Sequence, residues 1–245
     1  IARTKAVIRR ALNVALERGE LHRNVATLAA VPTPKRNSRL QPLTVEQAKA
    51  LIAAAAGTQY EALLSVAVYC GLRESEILGL THDCVDYTTG IMTVKQQLGF
   101  VEASTSKRTI VRKLKSDASH RVFPIPAPCL DALRANKTRQ AEQQLAAVIW
   151  ESRQLVFCTR NGRPLGPRNV VRAFKRYLRE SGGPDVPFHM LRHGTATYLA
   201  DAGVPIRTAM EMLGHSQMTT LVHIYQSATS DMKQAAAQRL SAMFA

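Results

Sequence analysis

His189-Met190-Leu191-Arg192 is followed by Leu213-Gly214-His215 and, ten residues later, by Tyr225. These side chains suit a single phosphate. An arginine grips two non-bridging oxygens in a fork, an imidazole passes a proton or donates a hydrogen bond, and a tyrosine oxygen can attack phosphorus. The ensemble points to covalent chemistry on a phosphodiester. Around it the pattern is helical: Pro167 to Glu180, Met190 to Ala202, Pro205 to Leu213, and a tail from Asp231 onward. That tail sets Met232, Ala236, Leu240 and Met243 at helical spacing, with Ala235 and Phe244 adding apolar surface.

Upstream, Leu130 to Ser152 reads as a long helix, and Leu155 to Cys158 with Pro164-Leu165 around Asn161-Gly162 reads as a tight hairpin. Ile91 to Lys95, Thr109 to Leu114 and Arg121 to Ile125 are rich in β-branched residues between turn signals, which predicts a small three-stranded antiparallel sheet. Before them, Leu43-Thr44-Val45-Glu46-Gln47 has capping-box spacing, with Leu43 able to staple onto Ala48. Ala48, Leu51, Ile52 and Ala55 continue that apolar face. An almost wholly apolar helix over Tyr60 to Cys70 stops at Gly71, a residue suited to a left-handed C-terminal cap. A third helix starts in Leu72-Arg73-Glu74-Ser75-Glu76-Ile77-Leu78-Gly79-Leu80. The fold class is therefore α+β, mainly α-helical, with one small sheet.

The chain opens in an amphipathic stretch, Val7, Ile8, Ala11, Leu12, Ala15 and Leu16, followed by a short apolar segment from Leu21 to Ala30. It reads as the last helix of a preceding helical domain, so residues 1–30 are expected to be the end of such a domain. Residues 31–41 form a basic linker, in which Pro32, Pro34, Lys35, Arg36 and Arg39 make a stiff strap able to follow a phosphate backbone or simply to be solvated. Residues 42–245 are then the second domain with its tail helix.

Of the 245 residues, 46% are hydrophobic, enough for a sizeable core without staples. Lys and Arg number 33 against 18 Asp and Glu, a net charge of +15 that favours a polyanionic partner, nucleic acid first. The sequence contains no apolar run of membrane-spanning length and no signal-peptide pattern, which argues for a cytoplasmic protein. Cys70, Cys84, Cys129 and Cys158 are too scattered for a zinc knuckle or a redox pair and read as free core thiols.

His-x-x-Arg, Gly-His and Tyr, in that order near the C-terminus, resemble the catalytic end of the tyrosine recombinase, or phage integrase, family. The upstream half agrees: Gly71 to Leu80 is similar to that family's first-arginine box, and Lys115-Ser116-Asp117-Ala118-Ser119-His120-Arg121-Val122 to its lysine-bearing β-turn. The resemblance runs from about Pro42 to Ala237 and covers six catalytic positions. It implies that Tyr225 is the nucleophile, leaving a 3′-phosphotyrosyl bond, and that Arg73 and Arg192 clamp the phosphate. Lys115 would protonate the departing 5′-oxygen, His189 would accept the tyrosine proton and His215 would hydrogen-bond the phosphate. Glu76 would buttress the active-site charges, and His193 would support the site or pack in the core. Neither cofactor nor metal is implied, because arginines, lysine and histidines supply the positive charge. The position after His189 is Met190, where aspartate is common in the family.

Some assignments compete. Tyr60, Tyr69, Tyr87, Tyr177 and Tyr198 each have a packing role available, whereas Tyr225 alone follows the Gly-His motif at short range. Lys107 and Lys113 lie near the same hairpin as Lys115, with Lys113 the reserve for the acid. His189 and His193, four residues apart, could be read as zinc ligands, but no third ligand sits at a fitting spacing. Lys107, Ser119, Arg121, Arg168 and Arg172 are the expected phosphate contacts, contacts that position DNA without reading it. The expected function is a DNA strand-exchange enzyme of a bacterial or phage-borne mobile element, associated with the nucleoid. It would act as a homo-tetramer on double-stranded DNA through a Holliday junction. A type IB topoisomerase-like or resolvase activity, and a catalytically idle DNA-binding regulator, are the alternatives.

Overall fold

A computed structural model describes residues 2–31, 40–103, 106–113, 120–151, 154–214, 221, 222, 225 and 241, with side chains at all of these except 2, 3, 100–103 and 106–113. The basic strap at 32–39, the turn carrying Lys115 and Ser119, His215 and the tail helix, apart from Ser241, lie outside the described residues. The chain divides into two compact units, Ile1–Leu40 and Gln41–Ala245.

The first unit is one helix and one turn. Helix α1, Ala2–Glu17, leaves Val7, Ile8, Val14 and Leu16 exposed. Asn24 ties the following 3-10 turn, Val25–Thr27, back onto it. Its amide donates to Arg9 O at 2.9 Å, while its Oδ1 accepts from Ala26 N at 3.0 Å.

The first helix of the second unit begins where the capping box places it. Thr44 Oγ1 accepts from Gln47 N, and Gln47 Oε1 accepts from Thr44 N, so α2 starts at Val45 and runs Val45–Ala54. Leu43, Ala48, Leu51 and Ala55 are all buried in the main core. Helix α3, Gln59–Ser65, then widens into a π-helical turn, Val66–Cys70, which ends at Gly71 with φ +58°. The apolar run and its stop match the sequence reading, but the π turn has no counterpart in it. Thr195 supplies the cause, because its buried hydroxyl donates to Val68 O at 2.8 Å and satisfies a carbonyl that the wider turn leaves available. Helix α4, Glu74–Leu78, follows at once.

A small three-stranded antiparallel sheet is present, with one strand other than expected. Strands β1, Val85–Asp86, β2, Ile91–Val94, and β5, Arg121–Pro124, form it in the order β1-β2-β5. Residues 109–113 of the expected Thr109–Leu114 strand belong instead to a separate hairpin of β3, Gln96–Ala103, with β4, Ser106–Lys113. The two-residue β1 supplies the third strand at one edge, pairing Val85 with Met92.

Helix α5 is Ala127–Ala146, three residues earlier at its start and six shorter at its end than the Leu130 to Ser152 expected from sequence. Pro126 and Pro128 explain the early start, since proline fits the first turn of a helix. The Asn161-Gly162 turn is tight, with Gly162 at φ +75° and Thr159 N donating to Arg163 O, but only a single bridge, Cys158 to Pro164, flanks it. Helices α6, Pro167–Glu180, α7, Met190–Asp201, and α8, Ile206–Leu213, fall where their patterns put them. All four cysteines are free and buried. Among the described residues no helix is long and apolar enough to cross a membrane.

Candidate active site

Three arginines from distant parts of the chain meet at the C-terminal end of α8. Arg73 caps the start of α4, directly after the left-handed Gly71. Arg121 opens β5, and Arg192 sits in the first turn of α7. Each gives a nitrogen to a different carbonyl of one turn. Arg121 Nε donates to Met212 O at 2.8 Å, Arg192 Nη2 donates to Leu213 O, and Arg73 Nη2 donates to Gly214 O at 2.8 Å. A helix C-terminus carries unpaired carbonyls and partial negative charge, so it attracts cations. Arg192 Nη1 also donates to Gly71 O at 2.7 Å, joining the turn before Arg73 to the turn after α8.

Both turns need glycine. At Gly71 a Cβ would come within 2.5 Å of Leu213 Cδ2, and at Gly214, φ +62°, within 2.8 Å of the Arg121 guanidinium. Left-handed backbone and close approach therefore select the same residue twice.

Glu76 is the one carboxylate joined to this cluster by a described bond. It is 1% exposed and accepts from Arg73 N at 2.9 Å, Arg73 Nη1 at 2.7 Å, Arg121 Nη1 at 3.3 Å and Arg121 Nη2 at 2.7 Å. Burial alone would raise its pKa. Hydrogen bonds and charge from Arg121, with the Arg73 backbone and side chain, outweigh that and hold it below the usual range. Among the described residues three guanidiniums are thus gathered around one bonded carboxylate. Burial first, then the neighbouring Arg73 charge, pull Arg192 down to about 9, with Glu76 opposing and Arg121 adding to the fall. The guanidinium stays charged at neutral pH, and an arriving anion would relieve the crowding.

Tyr225 lies in a second apolar cluster with Ala196, Ala200, Ala209, Leu213 and Leu221, on the flank of α7 and α8. It is 9% exposed, its hydroxyl has no hydrogen-bond partner among the described residues, and burial raises its pKa. Leu213 links the two groups, since its carbonyl meets Arg192 while its side chain packs in the tyrosine's cluster. His189 is the exposed residue that precedes α7, and its ring lies edge-on to that of His193 with centroids 6.0 Å apart. Among the described residues no group of three or more His, Cys, Asp or Glu could hold a metal ion.

The expected phosphate contacts separate. Arg168 and Arg172 are exposed on α6, and Arg172 lines a groove of about 550 Å³ with Tyr60, Asn169, Arg176 and Arg179. Lys107 lies on β4, and its side chain is outside the described residues, as are Lys115, Ser119 and His215. Arg121 departs from expectation, because it is buried at 6% exposure with its guanidinium held by Glu76 and Met212. A strand alternates faces, and Arg121 is in phase with buried Phe123 while Val122 is exposed. That period was the available sign that Arg121 faces inward. The buried hydroxyl of Thr195, one turn beyond Arg192, is a further residue that no local motif announces.

Two apposed arginine turns thus share one buried glutamate, with Tyr225 in the apolar cluster on the flank of the same two helices. Residues 41–232 match the model of the phage integrase family, and the chain belongs to that family. It is 29% identical over 246 aligned residues to a XerC-like tyrosine recombinase of Caldanaerobacter subterraneus subsp. tengcongensis, covering 95% of this chain and 63% of that protein. With an integrase of Streptomyces ambofaciens the identity is 31% over 223 residues, 89% of this chain and 57% of the relative. The chain thus spans about three fifths of the length of these relatives. Its fold is similar to that of the Tn1549 transposon integrase in complex with transposon right end DNA, with a TM-score of 0.73 at 21% identity over 98% of this chain and 79% of that one. Similarity to the XerA recombinase gives a TM-score of 0.63 at 21% identity, covering 96% and 76% of the two chains.

Proposed function

We propose that this chain carries the strand cleavage and rejoining chemistry of a site-specific DNA recombinase, an integrase or transposase of a mobile element. The observation that carries the reading is the convergence of Arg73, Arg121 and Arg192 on three successive carbonyls at one helix end, a cationic, partly buried locus beside the apolar cluster that holds Tyr225. Membership of the phage integrase family supports it. Arg73 and Arg192 hold the non-bridging oxygens of the scissile phosphate and are fixed where charge grows in the pentacoordinate transition state.

Tyr225 Oη attacks phosphorus, the bond from phosphorus to the 5′-oxygen breaks, and a 3′-phosphotyrosyl ester forms. His189 takes the phenolic proton, and Lys115 gives a proton to the leaving 5′-oxygen. The ester conserves the energy of the broken phosphodiester, so a second 5′-hydroxyl can reseal the strand by the reverse steps. His215 hydrogen-bonds the phosphate, and Arg168 and Arg172 on α6 follow the backbone. Because the Tyr225 hydroxyl rests in apolar surroundings in the free protein, DNA binding has to bring it out toward the phosphate. The working form is a tetramer on two duplexes passing through a Holliday junction, in a cytoplasmic, nucleoid-associated setting.

Covalent trapping tests this. Nicked duplexes from candidate element ends are mixed with the protein, denatured and searched for a protein–DNA adduct mapped by mass spectrometry. An adduct on Tyr225, absent in Tyr225→Phe, is expected. Binding without any adduct on any duplex would instead favour a DNA-binding regulator.

A further inference from the structure

Arg121 is set apart from its two companions by accessibility. Its side chain is 5% exposed, against 40% for Arg73, although both bond the same carboxylate. Its guanidinium engages both Glu76 oxygens and the Met212 carbonyl at once. A phosphate could reach it only by displacing a buried carboxylate, which would leave that charge unpaired at a cost of several kcal/mol. Arg73 can meet a phosphate, whereas Arg121 is walled off from one.

Of its partners, Glu76 bonds Arg73 directly and Met212 adjoins the carbonyls that hold Arg192 and Arg73. Glu76, gripped by Arg121, fixes both the backbone N–H and the Nη1 of Arg73. Met212, gripped by Arg121, precedes the two carbonyls that receive Arg192 and Arg73. Gly214 also packs against the Arg121 guanidinium so closely that a Cβ there would lie 2.8 Å from Nη1. Arg121 thus ties Glu76 of α4 to the end of α8 from the buried side, beside the more exposed bond that Arg73 makes to Gly214.

We propose that Arg121 is a positioning residue for strand cleavage: it locks Glu76 and the Met212–Gly214 turn so that Arg73 and Arg192 present a fixed fork, and it makes no contact with DNA. This rests on the recombinase reading above. A misplacement of about 1 Å in such a fork costs on the order of 10²-fold in rate. A lost phosphate contact, by contrast, lowers the slope of log affinity against log salt by about 0.9.

The test compares wild type with Arg121→Lys and Arg121→Met. Because Arg121→Met strands Glu76 and could unfold the chain, Glu76→Met with Arg121→Met is added as a neutral replacement of the pair. Three readouts are taken: the salt slope of DNA binding, single-turnover adduct formation on Tyr225, and nitrogen NMR of the Arg73 guanidinium in DNA-free protein. The expected result is an unchanged salt slope, adduct formation down by about 10²-fold in Arg121→Met and less in Arg121→Lys, and averaging of Arg73 Nη signals that are distinct in wild type. A slope lowered by about 0.9 with Arg73 signals intact would make Arg121 a DNA contact and overturn the proposal. Unchanged cleavage and unchanged Arg73 signals in folded variants would leave Arg121 a purely structural residue, which also overturns it. Should wild type form no adduct at all, the recombinase reading fails on its own, while the NMR comparison still decides whether Arg121 fixes Arg73.

Discussion

Replacing Glu76 by glutamine removes one charge and almost nothing else in volume, which makes it a clean perturbation of the buried cluster. The carboxylate now receives four hydrogen bonds, two from Arg73 and two from Arg121. A glutamine has one acceptor oxygen, and its amide would point donors at donors. The Arg121 arm carries most of the effect, since its side chain is 5% exposed, while the Arg73 arm at 40% is screened by solvent. Breaking a buried pair by neutralising one partner costs about 3–5 kcal/mol. For a chain of this size each kcal/mol moves Tm by about 2–4 °C, so Glu76→Gln should melt roughly 10 °C below wild type at pH 7.

The pH dependence has a definite sign. Glu76 has a depressed folded-state pKa, so its contribution is complete above the unfolded value near 4.5 and is lost as pH falls through the lower folded one. The stability difference between wild type and Glu76→Gln should be flat at neutral pH and narrow below about pH 4. Thermal melts followed by circular dichroism across that range give both quantities. A variant within about 1 kcal/mol of wild type at pH 7, or a gap that widens in acid, would refute the reasoning that Glu76 is held ionised by Arg121.

Two other substitutions report on neighbouring features. Tyr225→Phe removes a buried hydroxyl that has no partner among the described residues, so thermal stability should hold or rise slightly even as adduct formation disappears; a large loss of stability would contradict the apolar setting of Tyr225. Gly71→Ala imposes a left-handed alanine and a 2.5 Å approach to Leu213 Cδ2, and should lower stability by about 1–3 kcal/mol in chemical denaturation, with a variant as stable as wild type counting against the described turn.

Much of this site was legible because its chemistry dictates residue types in an order along the chain. Arg73 and Arg192, singled out by such motifs, do meet at the end of α8, and Thr44 with Gln47 announces α2 because a capping box is complete within four residues. Features made by distant partners were not legible. The π turn at Val66–Cys70 depends on Thr195, more than 120 positions away, and nothing in its own apolar composition favours that turn over an α-helical one. The strand β1 is two residues long, too short to show a period of two, so a better-patterned segment was taken for its place in the sheet. From sequence Arg121 reads as a phosphate contact, because its strand lies beside Lys115. Its neutralising partners lie 45 and 91 positions away, and only the alternation with Phe123 marked its inward direction.

The three carbonyls at the end of α8 also fix where this chain can change length. Each residue added to or removed from a helix turns its end by about 100° and shifts it by 1.5 Å. A single insertion or deletion within Ile206–Leu213 would therefore swing Met212, Leu213 and Gly214 away from all three arginines together. The turn at Ser181–Gly183, with Gly182 exposed and its backbone N–H groups bonded back to α6, shares no described bond with the three arginines and is the better place for extra residues. Divergence in length among descendants of this sequence should thus gather at turns like that one and leave α8 at constant length.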